Sequence, residues 1–213
     1  IVRIPRAVAG CRAYLAVTGG IDVPPVMGSR STFVRARIGG VQGRGLVKGD
    51  VLRRGERRLS GDLRSFPDAW IPRYVREISL RAIPGPQDDS FRQGSAVFFS
   101  AVYEVTTEAD RMGYRLRGPA VECDEGVPKS IVTEPTTPGN VQIPADGQPI
   151  ILLVEQTSGG YAKIATVISP DLSRVAQALP GNTVRFERIT VEDAHRLYRE
   201  QQDLLSRIRQ FLQ

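Results

Sequence analysis

Four stretches of the chain gather small, polar and glycine residues in patterns suited to ligand chemistry. The first is Gly28-Ser29-Arg30-Ser31-Thr32, three hydroxyls around one guanidinium. Arginine grips planar anions through paired N–H bonds, so this segment reads either as an anion fork or as a turn whose hydroxyls cap its own backbone. The second, Asp110-Arg111-Met112-Gly113-Tyr114-Arg115-Leu116, sets opposite charges side by side. It suits an internal ion-pair network first, and presentation of Arg111 to an anion second. The third is Gln142, a neutral amide at a strand start, which alone says little. The fourth is Gln156-Thr157-Ser158-Gly159-Gly160-Tyr161-Ala162-Lys163, where two glycines permit close backbone approach and the side chains offer neutral donors, acceptors and one point charge. It lacks the Gly-Lys-Ser/Thr ending and following helix of a phosphate-binding loop, so a ligand-facing edge and a tight β-turn stay open as readings.

Other reactive side chains carry less. The single histidine, His195, lies at the start of a helical stretch away from any nucleophile motif and reads as a surface or packing residue. Asp22, in GGIDV, occupies a position where turns commonly place aspartate. Cys11 and Cys123 are too few for a disulfide scaffold or a cysteine-based zinc site and are expected to be buried free thiols of a reducing cytoplasm. With one histidine, a multi-histidine metal site is excluded as well, and no metal is expected.

The elements that must position these residues are strands. Across 213 residues, 21 Gly and 15 Pro argue against a helix bundle and for short strands joined by tight turns. Residues 1–18 alternate as two strands around Ala9-Gly10, 33–38 (FVRARI) as another, and KGDVL turns into a further strand. Residues 53–73 read as a long connection, 75–83 and 96–105 as strands, 141–156 as a hairpin about Asp146-Gly147, and 182–189 as a final strand. Ser169-Pro170 starts a short helix to 178, and Thr190 caps a long amphipathic helix to the C-terminus. Pro84-Gly85-Pro86 marks the expected boundary, giving a first β subdomain (1–83), a barrel subdomain (84–189) and a helix (190–213). The expected class is mainly β, a barrel or sandwich with a helical tail.

Formal charge is +6, but the arginines are dispersed. The densest cluster, Arg53, Arg54, Arg57 and Arg58, adjoins Glu56, and no aromatic–basic interleaving occurs, so the excess reads as solvated surface and not as a nucleic-acid interface. No apolar run reaches the roughly 18–20 residues of a membrane span. The opening at Ile1, without Met or a charged-then-apolar leader, reads as the middle of a domain and suggests that sequence precedes it.

Taken together, AYLAVTGGIDVPPVMGSRST (13–32), ADRMGYRLRGP (109–119), VQIPADGQPIILL (141–153) and QTSGGYAKIATVISPDLSRVAQALPGNTVRF (156–186) resemble the KipA family. That family includes the C subunit of 5-oxoprolinase, proteins labelled allophanate hydrolase subunit 2, and the second half of the urea carboxylase carboxyltransferase domain. The resemblance implies a cyclophilin-like β-barrel architecture in two subdomains, working in the cytoplasm beside a homologous KipI-like subunit and a LamB/YcsF-like subunit. It implies ATP-dependent opening of a small amide. The alternatives are carboxyl transfer to a urea-type substrate from biotin on a separate carrier, and a non-enzymatic regulator that binds a KipI-type kinase inhibitor. Carried over by position, Arg30, Arg111, Gln156 and Tyr161 become the expected catalytic residues. Ser29, Ser31, Thr32, Gln142, Thr157, Gly159, Gly160 and Lys163 become the expected substrate-binding set. The resemblance puts Arg30 and Arg111 on a carboxylate or phosphate, and Gln142, Gln156, Thr157 and Tyr161 on a planar amide, within one cleft. Ser158, Ala162 and Glu155 depart from the family pattern, and no general base is identified.

Overall fold

The computed structural model describes residues 3, 7, 9–56 and 65–212. The chain forms two compact units, one of residues up to Arg12 together with Phe66 onward, the other Ala13–Ser65.

The larger unit contains β1 (Glu77–Pro84), α1 (Arg92–Ser100), β2 (Tyr103–Ala109), β3 (Gly113–Arg117), β4 (Glu134–Pro135), β5 (Asn140–Gln142), β6 (Ile150–Leu152), β7 (Ser158–Gly159), β8 (Lys163–Val167), α2 (Leu172–Ala176), β9 (Thr183–Arg188) and α3 (Val191–Leu212). Seven strands close a barrel in the order β1-β8-β5-β6-β3-β2-β9, and β4 and β7 form a separate two-stranded ribbon. Neighbours in the barrel are antiparallel except β1 and β9, which run parallel from Glu77 opposite Thr183 to Ala82 opposite Arg188 and complete the ring. The mainly β barrel with a C-terminal helix is therefore present as the sequence predicts.

Alternation explains the core. Ile78, Leu80 and Ala82 of β1, Tyr114 and Leu116 of β3, and Val184 and Phe186 of β9 are buried while their neighbours in sequence face outward. Each Val, Leu, Ile or Phe side chain among them contributes about 1.5–3 kcal/mol on burial. Asp171, also buried, takes the Arg81 backbone N–H at 2.9 Å and its guanidinium Nη2 at 2.6 Å, tying the turn before α2 to β1.

Three sequence readings of this unit need correction. Residues 96–105 are not one strand: the chain is helical through Ser100 and extended from Tyr103. Packing overrides the β-propensity, because the helix seats Phe98 on Phe186, rings stacked at 4.3 Å, with Tyr103 adjacent. The boundary at Pro84 does not coincide with the unit boundary, since β1 ends at Pro84 and pairs with β8 and β9, inside the barrel. Cys11 is exposed and Cys123 half-buried, both free. Backbone N–H bonds from Cys11 and Arg12 to Gln177 Oε1, each 2.8 Å, hold that segment along the barrel surface.

Helices elsewhere follow expectation. Pro170 opens a short helical segment, though Ser169 makes no side-chain cap. Thr190 Oγ1 accepts the Asp193 N–H at 3.1 Å at the start of α3, Phe211 packs edge-on to Trp70, and His195 is exposed. Among the described residues no helix is long and apolar enough to cross a membrane.

In the Ala13–Ser65 unit the structure departs further from the sequence reading. Phe33 and Ile38 exchange both backbone bonds, 2.8 and 3.1 Å, so FVRARI is a closed turn and not a strand. Arg37 at φ 55° supplies the left-handed corner that a straight strand forbids. Residues 9–18 form no strand, and the rest of that expectation, like Arg57 and Arg58, lies partly or wholly outside the described residues. The KGD turn is present but leads into no strand among the described residues: Asp50 accepts the Val47 N–H at 2.8 Å and receives Arg44 through two bonds, 2.8 and 2.9 Å. The Arg44 hydrogen bonds hold the Asp50 carboxyl well down, at about 2.

Candidate functional site

The fourth motif lands on one rim of the barrel. Strand β8 places Lys163 opposite Gln142 of β5, and a register irregularity between Val141 and Gln142 sets the Gln142 side chain inward. Its amide donates to the Tyr161 carbonyl at 3.3 Å and is 3% exposed. Gly159 makes this possible: a Cβ there would collide with Gln142 Nε2. Gln156 turns its amide back onto the Ser158 carbonyl, and Thr136 Oγ1 donates to the Gln156 carbonyl at 2.9 Å. Thr157 accepts the Thr136 N–H through its carbonyl at 3.0 Å, and the Gly160 carbonyl takes Ile131 N–H at 2.8 Å, so the connector 131–137 frames the motif. Tyr161 is 41% exposed and its hydroxyl has no hydrogen-bond partner among the described residues.

Two residues that the sequence reading passes over complete this rim. Glu134 receives the Lys163 ammonium and the Gln87 amide, the latter at 2.8 Å, both on Oε1. Those two bonds hold the Glu134 carboxyl below its ordinary range. Gln87 in turn accepts the Lys163 backbone N–H at 3.0 Å. Lys163 is thus a buried ion-paired side chain and not a mobile surface charge. The one available signal is a lone acid before Pro135 in an otherwise neutral Thr/Pro connector.

Arg111 sits at the turn joining β2 to β3 and pairs with Glu155, Nε to Oε1 at 2.8 Å, while the Glu155 N–H bonds the Arg111 carbonyl at 3.1 Å. The internal ion-pair reading of this motif is the one seen, with a partner from the residue that departs from the family pattern. Asp110 Oδ1 accepts the Met112 and Gly113 N–H groups at 2.8 and 3.2 Å and shapes the turn.

The first motif belongs to the Ala13–Ser65 unit. There Arg30 Nε donates to the Val23 carbonyl at 3.0 Å, and Ser29 Oγ caps the Ser31 N–H at 3.1 Å, which realises the self-capping reading of the hydroxyls. Arg30, Ser31 and Thr32 line an open depression of about 490 Å³ with Ile21, Val41 and Leu46. On its other side Arg30 joins Arg54, Asp22 and Glu56 around a second recess. Among the described residues no group of three or more His, Cys, Asp or Glu is placed to hold a metal ion.

Comparison with known proteins is consistent across sequence and structure. The family described as carboxyltransferase domain, subdomain A and B, matches residues 1–188. The chain is 37% identical to the C subunit of 5-oxoprolinase from Haemophilus influenzae over 100% of its length, and 36% identical to the same subunit from Escherichia coli over 93%. It spans 67% and 63% of those two proteins. The crystal structure of K. lactis urea amidolyase superposes with a TM-score of 0.84 at 28% identity, covering 93% of this chain and 13% of that one.

Proposed function

Since the chain belongs to the carboxyltransferase family spanning subdomains A and B, we propose that it forms the amide-recognising part of a 5-oxoprolinase-type enzyme, in the place of that enzyme's C subunit. The observation that carries this reading is the barrel rim. There Gln156 and the exposed Tyr161 offer neutral hydrogen-bonding groups beside the Lys163–Glu134 pair, while Gln142 is buried with its amide on the Tyr161 carbonyl, a chemistry matched to a small planar amide.

Opening a stable amide near neutral pH needs activation of its oxygen, which ATP supplies in the assembled enzyme. The described residues do not fit a nucleotide: the recess at Arg30 and Arg54 carries two carboxylates as well, and no glycine-rich loop leads into a helix N-terminus. In this reading the phosphoryl step belongs to the assembled enzyme, with a KipI-like subunit and a LamB/YcsF-like subunit, and is not placed on the described residues. This chain's own contribution is to bind and orient the amide and to place donors where negative charge develops.

The K. lactis urea amidolyase superposition favours a second reading, a carboxyltransferase half serving biotin on a separate carrier. A ureido group presents the same donor–acceptor edge as a lactam, so the rim fits both.

The test is an assay of the full-length protein in its complex. 5-Oxoproline should stimulate ATP hydrolysis, and Arg30→Ala and Arg111→Ala should each lower turnover at least about tenfold while the complex still assembles. Carboxyl transfer to urea without any response to 5-oxoproline would replace this reading by the second. Unchanged turnover in either variant would remove that arginine from a role in catalysis.

A further inference from the structure

The Glu134 carboxylate is held by one oxygen only. Lys163 and Gln87 both donate to Oε1, and Oε2 has no hydrogen-bond partner among the described residues, although the side chain is 39% exposed. Lys163 shows the complementary excess. Its ammonium carries three donors, is 3% exposed as a residue, and places a single hydrogen bond among the described residues, to Glu134. A buried cation with donors to spare, touching a carboxylate with a spare acceptor, makes a donor–acceptor couple. Strand pairing fixes its surroundings: Glu134 lies opposite Gly159, Gly159 backs onto the Gln142 amide, and Gln142 lies opposite Lys163.

We propose that Glu134 Oε2 and the Lys163 ammonium together read the edge of a lactam or ureido group, Oε2 accepting its N–H and Lys163 donating to its carbonyl oxygen. This rests on the amide-opening reading above and gives that site its specificity determinant. A carboxylate is acceptor-only, so the couple selects a ring N–H and repels a ring oxygen at the same position. Pairing a substrate N–H discriminates against the analogue lacking it, because a ring oxygen would face the Glu134 carboxylate acceptor against acceptor. The Lys163 and Gln87 bonds keep Glu134 ionised across the physiological range, which preserves the sense of that selection.

Glu134→Gln tests this directly. The carbonyl oxygen of the new amide can keep the two bonds now made to Oε1, and its NH₂ then stands where Oε2 was, so an acceptor becomes a donor. The probes are 5-oxoproline and its ring-oxygen analogue, the γ-lactone of 2-hydroxyglutarate, each measured on the full-length complex. The wild-type complex should prefer 5-oxoproline by at least about tenfold in apparent affinity. Glu134→Gln should raise KM for 5-oxoproline at least about tenfold, change kcat less, and erase or reverse the preference. Glu134→Asp, which keeps an acceptor, should retain the preference. The same preference in wild type and both variants would overturn the assignment while leaving amide opening intact. A wild-type complex that acts on neither probe would overturn the amide-opening reading and this role with it.

Discussion

Leu80, Phe98, Tyr103 and Ile164 of the barrel unit are wholly buried, whereas no described apolar side chain between Ala13 and Ser65 reaches that state, and Tyr14 and Met27 stand almost fully exposed. The barrel is held by removal of apolar surface from water. The smaller unit is held by backbone turns, left-handed corners at Met27, Arg37 and Gln42, and the Arg44–Asp50 pair. One region tolerates polar change at its rim because its stability resides inside. In the other, Ser29 shapes the turn that carries the candidate residues through its bond to the Ser31 N–H, so a change at Ser29 touches fold and function together.

The strongest way to break this contrast is Phe98→Ala. Loss of its stack on Phe186 should cost the barrel about 3–5 kcal/mol in chemical denaturation. A cost under about 1 kcal/mol would mean that burial is not what holds the ring together. Gly43→Ala examines the other region. Gly43 has φ 65° and a Cβ there would meet the Arg37 backbone, so the substitution should cost upward of about 1 kcal/mol. Amide-exchange protection should fall between Ala13 and Ser65 and stay unchanged in β1, β8 and β9. The mildest probe is pH. Because the folded Asp50 carboxyl lies near 2, below its ordinary 3.8, its bond to Arg44 stabilises the turn fully above about pH 4 and is lost as pH falls through 2. A carboxyl NMR titration should give a midpoint near 2 in the native protein and a higher one in Arg44→Ala, still below the ordinary range because the Val47 N–H bond remains.

The same contrast explains what is legible in the sequence. β1 and β9 are visible because period-two alternation is a direct trace of one face packing on a core. The turn at Asp146-Gly147 and the Thr190 cap are visible because their chemistry is local. Helix α1 is not, since VFF reads equally as strand until Phe186 and Tyr103 arrive from distant sequence. FVRARI alternates as cleanly as β1, yet with no core to face it curls on itself. Within the candidate site, Gln156 and Tyr161 announce themselves by glycine-rich context, whereas Gln142 says little alone. Glu134 and Gln87 do not, because their meaning depends on pairing across 29 and 76 residues with Lys163.

The parallel contact of β1 with β9 has a consequence for biosynthesis. The first strand of the ring must wait for the last before it gains that neighbour, so a nascent chain not yet emerged through Arg188 leaves β1 and β2 with bare backbone along one side. Closure is consequently a late, long-range event, and until it happens those two strands are the places where a chaperone or a second nascent chain would take hold.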